Sequence, residues 1–191
     1  ANTSLTNNAP NLPNRPRNRN QLMAAIEPRP RITMQDIDGV MLRTAFWAAR
    51  QDEGKRPLLF FNGIGANLEL THALGDMFPD RDIITFDVPG VGKSPVTQWP
   101  YRPWMLARWA RKLLDQFGID EVDVMGVSWG GALAQQFAFQ YRNRVGKLIL
   151  CATTAGMTMV PGKPKSLSKM VDARRYTDPN YMRDNFATLY G

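Results

Sequence analysis

An α/β fold with a mostly parallel sheet flanked by helices is predicted for these 191 residues by three observations. Short apolar runs ending in Gly, Asp, Ser or Thr alternate with longer amphipathic segments, the pattern of strands connected through helices. An Asp38-Gly39 pair between two β-like stretches signals a tight hairpin near the start. At one strand-to-helix junction, Val122 to Ala138, a serine stands at the centre of a G-x-S-x-G pattern. A hydrophobic content of 43% over this length is enough for the core of one domain.

The elements follow in chain order. Residues 1–22 are dominated by Asn, Pro and Arg with almost nothing apolar, so they cannot offset the entropy of ordering, and residues 1–28 are expected to form a disordered basic arm. The chain carries a net charge of +7, of which residues 1–31 supply +4, so the globular part is only mildly basic. That distribution argues for a solvated arm and against a nucleic-acid partner. From Arg31 to Arg50 a hairpin is expected to open the fold, followed by four parallel strands in RPLLFFNG, RDIITFDVPG, VDVMGVS and KLILCATT, each read as buried on both faces.

LELTHALGDMF reads as a helix between the first two of these strands. Pro103 to Phe117 is a clearer helix, with Leu106, Ala110, Leu113 and Phe117 on one face and Gly118 as its stop. Gly130 to Tyr141 repeats Leu133, Phe137 and Tyr141 at intervals of four, an apolar face that can pack on the sheet behind Ser128. Residues 29–154 are therefore expected to form the core. Residues 155–191, with Pro-Gly punctuation followed by scattered Met and aromatic residues, are expected to begin a helical lid. Cys151 is the single cysteine, so no intrachain disulfide framework exists, and its apolar setting predicts a buried strand residue. No secretory h-region and no bilayer-length apolar run is present, and a cytoplasmic location is expected. The chain begins with Ala1 and stops in mid-pattern at Gly191, so processing or truncation is expected.

The G-x-S-x-G segment reads as a nucleophile elbow, a turn that lifts the Ser128 hydroxyl outward at the positive end of a helix dipole. Gly126, Gly130 and Gly131 leave room for so tight a bend. A tetrahedral intermediate at Ser128 needs two oxyanion donors. The Trp129 N–H is the first, and the Ile64 N–H is the expected second, carried by a supporting loop of Asn62, Gly63 and Gly65.

Two look-alikes fail on single residues. GIGANL starts like a dinucleotide-binding loop, with Asp87 as the later acid, but Leu68 occupies the third glycine position. Gly92-Lys93-Ser94 ends like a phosphate-binding loop, but Asp87 stands where its first glycine belongs, and a carboxylate repels phosphate. His72 is the only histidine; it precedes Ser128 in a helical pattern, the wrong chain order for a general base of this kind, and is read as a plain helix residue. Asp172, Asp178 and Asp184 fall in the lid segment and are given no catalytic role. No metal or organic cofactor is called for.

FFNGIGANLEL (60–70), FDVPGVGKSP (86–95), GVSWGGALAQQFA (126–138) and ATTAGMTMVPGKPK (152–165) together resemble the intracellular medium-chain-length poly(3-hydroxyalkanoate) depolymerases of the α/β-hydrolase superfamily. The resemblance runs from about Arg31 to Gly191; NGIGANLEL and MVPGKPK are its specific segments, since G-x-S-x-G is shared by many esterases and lipases. It implies an α/β-hydrolase fold, Ser128 as nucleophile and the Ile64 and Trp129 amides as oxyanion hole. Asn62 stands where many superfamily members have the His of an HG motif, and Lys93 replaces an expected small residue. The family's catalytic Asp and His lie on later strands and loops, which implies that the sheet is truncated before its last strands and that this chain alone is inactive.

The expected function is serine-dependent ester hydrolysis, of intracellular poly(3-hydroxyalkanoate) to 3-hydroxy acids or oligomers, with the polyester or its hydrophobic granule surface as partner. Met157, Met159, Val160 and Met170 of the lid are candidates to accept alkyl side chains. Two alternatives stay open: a small-molecule esterase or lactonase on the same scaffold, and a non-catalytic hydrolase-like protein that binds granules or a partner.

Overall fold

A computed structural model of the chain describes residues 30–154, 163–172, 174 and 178–190. The arm expected over residues 1–28 lies outside them, as do Met157, Met159 and Val160 of the expected lid. The chain divides into two compact units, one ending at Thr153 and one beginning at Thr154.

The first unit opens with strands β1 (Arg31–Ile37) and β2 (Val40–Trp47), paired antiparallel with Ile37 opposite Val40. Only Asp38 and Gly39 separate them, with φ of 56° and 80°. Positive φ at both central residues is the primed turn whose twist suits a hairpin, and the Asp36 carboxylate caps it by accepting the Gly39 N–H at 2.7 Å. β3 (Leu58–Phe61), β4 (Ile83–Phe86), β5 (Val122–Val127) and β6 (Val145–Cys151) complete a six-stranded sheet in the order β1-β2-β4-β3-β5-β6. β2 runs antiparallel to β4, and the β4-β3-β5-β6 pairs are parallel.

Two helices, α2 (Pro103–Gln116) and α3 (Trp129–Gln140), cover one face. The strand period of two sends Leu59 and Phe61 toward them, where Leu106, Ala110, Leu113, Phe117, Leu133 and Phe137 are all buried. α2 starts on Pro103, whose missing N–H costs nothing in the first turn, and ends before Gly118, which takes φ 66° and returns its N–H to Asp115 O at 3.0 Å. Leu58 and Phe60 point to the other face and meet Leu68, Leu74 and Trp47. The second unit pairs α4 (Pro164–Val171) with α5 (Pro179–Tyr190): Tyr181, 4% exposed, donates its hydroxyl to Lys169 O at 3.0 Å, and Ser166 donates to Thr188 O at 2.7 Å.

Two expectations fail. LELTHALGDMF is not one helix but a 3₁₀ turn, Leu68–Thr71, followed by a single turn α1 (Leu74–Met77). Tertiary packing overrides the pattern there. A methyl group on Gly75 would lie 2.5 Å from the Trp47 ring, so α1 is set by how closely its backbone approaches β2. The strand in KLILCATT is not buried on both faces: Leu148, Ile149 and Leu150 are 41%, 36% and 36% exposed. β6 pairs with β5 alone among the described residues and is the last strand of the described sheet, and Cys151 is half-buried.

Phe137 lies between Phe61 and Tyr141, with ring centroids 6.0 and 5.3 Å away, and is fully buried. Phe137→Ala is expected to destabilise the first unit by about 3–5 kcal/mol, read as a lower urea midpoint at unchanged slope.

Candidate functional site

Ser128 sits between the last residue of β5 and the first of α3, with its side chain exposed and its backbone at φ 55°, ψ −122°. A residue with a Cβ rarely holds that conformation, and a surrounding structure must enforce it. Here the Ser128 N–H donates to Cys151 O at 2.9 Å and the Ser128 carbonyl accepts the Gly131 N–H at 2.9 Å. The neighbouring glycines are demanded by close backbone approach. A Cβ on Gly126 would stand 2.2 Å from Gly130 O, one on Gly130 2.2 Å from Phe61 O, and one on Gly131 2.3 Å from Thr153. β5 and α3 therefore fold back on each other, and α3 presses on the end of β3, at distances no side chain permits.

The end of β3 brings the second loop to the same place. A Cβ on Gly63 would lie 3.8 Å from Val127 O and 3.9 Å from the Ser128 Cβ, so this loop lies against the serine. Ala66 donates its N–H to Gly63 O at 3.1 Å and Gly65 takes φ 67°, a type II turn with Ile64 at its first central position. Asn62 accepts the Gly63 N–H on its Oδ1 at 2.9 Å and donates its Nδ2 to Asn67 O at 3.2 Å, closing the loop with its own side chain. Ile64 is half exposed and Trp129 is the first residue of α3.

His72 is exposed, with its Nδ1 2.6 Å from Glu69 O in the same short segment. The loop that imitates a phosphate site already encloses an anion: Gly90 and Gly92 take φ of 82° and 57°, and a Cβ on Gly92 would fall 2.2 Å from the buried Asp87 carboxylate. Burial pushes the Asp87 carboxyl up, against the pull of the Lys93 and Leu68 amides and of Arg43. Arg43, 7% exposed, was not singled out by any motif; the signal was a lone charge inside the apolar run VMLRTAFW. Its partners, Asp87 at 3.2 Å and Glu69 at 2.8 Å, come from distant segments. No group of three or more His, Cys, Asp or Glu placed to hold a metal ion occurs among the described residues.

A model of the alpha/beta hydrolase fold matches residues 56–189, more than half of the chain. The chain belongs to the alpha/beta hydrolase family. It is 48% identical over 157 residues to the poly(3-hydroxyalkanoate) depolymerase of Ectopseudomonas oleovorans, covering 82% of this chain and 55% of that one. It is 33% identical over 101 residues to the 2-hydroxy-6-oxo-6-phenylhexa-2,4-dienoate hydrolase of Comamonas testosteroni, covering 52% of this chain and 35% of that one. The chain thus spans little more than half of the first relative and about a third of the second. Among solved structures, naproxen esterase (carboxylesterase NP) from Bacillus subtilis superposes with a TM-score of 0.67 at 16% identity, over 86% of this chain and 56% of that one, a likeness of fold. No described helix is long and apolar enough to cross a membrane.

The acids left without a role after Ser128 serve local structure. Asp178 accepts the Asn180 N–H at 2.9 Å at the start of α5, and Asp184 pairs with Arg183 at 3.2 Å. Asp172 pairs with Arg174 at 2.7 Å, and this guanidinium holds its carboxyl at about 2. A depressed carboxyl contributes stability above its ordinary value of 3.8 and loses it as pH falls through about 2. A carbon-detected NMR titration is expected to give a midpoint near 2 for Asp172, returning toward 3.8 in Arg174→Ala.

Proposed function

We propose that the parent protein is a serine-dependent carboxylic ester hydrolase whose substrate is an intracellular poly(3-hydroxyalkanoate). The observation that carries the hydrolase reading is the exposed Ser128 on a left-handed backbone between β5 and α3, with the Gly63 loop against it. The 48% identity to a poly(3-hydroxyalkanoate) depolymerase carries the choice of substrate.

In this reading Ser128 Oγ attacks the ester carbonyl and gives its proton to a general base. The carbonyl oxygen becomes an oxyanion held by the Trp129 amide, at the positive end of α3, and by the Ile64 amide. Collapse expels the 3-hydroxyl end of the next monomer, which takes the proton, and leaves an acyl ester on Ser128. Water then attacks that ester, the base takes its proton and hands it to the departing Ser128 Oγ, and a 3-hydroxy acid or oligomer leaves. His72, exposed and turned onto Glu69 O, is not assigned as the base. That role, and the acid that orients it, are proposed for the portion of the parent protein corresponding to the unmatched part of the depolymerase. Granule association of the enzyme and negligible turnover by residues 1–191 alone belong to the same proposal, as do a basic arm at residues 1–28 and a lid that starts near residue 155.

A second reading, hydrolysis of small soluble substrates, is favoured by the 33% identity to the dienoate hydrolase. Full-length protein that releases 3-hydroxy acids from polymer granules supports the first; cleavage of soluble esters alone supports the second.

Ser128→Ala in the full-length protein is expected to lower kcat/KM on a soluble nitrophenyl ester by about 10⁴–10⁶-fold and to abolish labelling by a fluorophosphonate. Retained activity would sink the nucleophile assignment. Ile64→Pro suits the first central position of a type II turn yet deletes the amide donor, and is expected to lower kcat by about 10²–10³-fold.

A further inference from the structure

The Asp87 carboxylate follows the end of β4 and is 1% exposed, with both oxygens engaged. Oδ1 accepts the Leu68 N–H at 2.8 Å. Oδ2 lies 3.2 Å from Arg43 Nη1 and 3.4 Å from the Lys93 N–H. Ser94 Oγ donates to Asp87 O at 2.7 Å and accepts the Arg43 N–H at 2.8 Å, which fixes the arginine's strand to the same corner.

Leu68 is the first residue after the 62–67 loop. Asn62 ties the loop's start to Asn67 O, and Asp87 ties the next amide along, so the loop is closed by its own side chain and anchored to the sheet by Asp87. A second buried carboxylate shows what a purely structural acid does in this fold. Asp123, 3% exposed at the N-terminal end of β5, bonds Arg56 at 3.1 Å and Arg81 at 2.9 Å and touches no loop of the site. Asp87 instead spends its best hydrogen bond on the segment that presents Ile64. Oxyanion donors act only when held to a few tenths of an ångström, so an anchor on that segment bears on the transition state more than on the ground state.

We propose that Asp87 is a positioning residue for ester hydrolysis: through the Leu68 N–H it holds the 62–67 loop so that the Ile64 amide faces the developing oxyanion, while Arg43 balances its charge. The proposal rests on the reading of Ile64 as an oxyanion donor.

The test uses full-length protein, a soluble nitrophenyl ester, and fluorophosphonate titration run to completion, so that kcat refers to folded sites. Asp87→Asn keeps the shape but turns a donor toward either Leu68 N–H or Arg43. It is expected to lower kcat per titrated site at least about tenfold with KM changed less than about twofold, and to weaken a trifluoromethyl ketone inhibitor in proportion to kcat. Asp123→Asn, which also breaks a buried carboxylate's bonds, is expected to lower the thermal midpoint and leave kcat per site unchanged. Leu68→Pro deletes the donor from the other side, at the start of a 3₁₀ turn where proline is tolerated. It is expected to lose kcat to a similar degree, with little further loss in the Asp87→Asn double variant. Wild-type kcat per site in Asp87→Asn or Leu68→Pro, or an equal loss in Asp123→Asn, overturns the proposal while labelled wild-type Ser128 leaves the hydrolase reading standing. Activity in Ser128→Ala overturns that reading itself.

Discussion

The close approach of backbone to backbone around Ser128 is the constraint on which the rest of this molecule depends. Gly126, Gly130 and Gly131 let β5, α3 and the end of β3 meet at distances where any Cβ would overlap a carbonyl or a side chain. That contact forces the serine into a left-handed conformation, and the hydrogen bonds to Cys151 O and from the Gly131 N–H hold it there. The strain is local and tolerable because Phe61, Leu133 and Phe137 bury the same junction from below. An exposed hydroxyl and a rigid support are thus consequences of one packing arrangement.

Charge is arranged at the two ends of the parallel strands by different means. At the N-terminal end Asp123 meets two arginines that are 40% and 17% exposed on their side chains, so solvent shares the work. Beyond the C-terminal end of β4, Asp87 is enclosed by backbone donors and by the nearly buried Arg43. Gly92 and the Lys93 N–H of GVGKS, a segment that in another setting would wrap a phosphate, here close on that carboxylate. The loop follows the same physical rule as an anion-binding loop, with the anion supplied by the chain itself.

Patterns that depend on neighbours in sequence were legible without coordinates. The Asp38-Gly39 hairpin and the helix from Pro103 to its stop at Gly118 each follow from backbone preferences confined to a few residues, and the bend at Ser128 was marked by the glycines around it. The meeting of Gly63 with Ser128 was legible by analogy of motif, since both stand at the ends of adjacent parallel strands. The segment Leu68–Met77 misled because its apolar spacing fits a helix, whereas Trp47 and the Arg43–Glu69 pair impose two short turns on it. β6 misled because an apolar run looks the same in the last strand of the described sheet as at its centre.

Periodicity, turn chemistry and glycine placement in this chain dictate an α/β fold and the location of its candidate nucleophile, because those properties act over a few bonds. Why Arg43 is buried and how Asp87 reaches the loop of Ile64 were settled by folding alone. Those outcomes join residues 19 and 44 positions apart, and a long-range pairing of charges leaves no periodic trace in the order of residues.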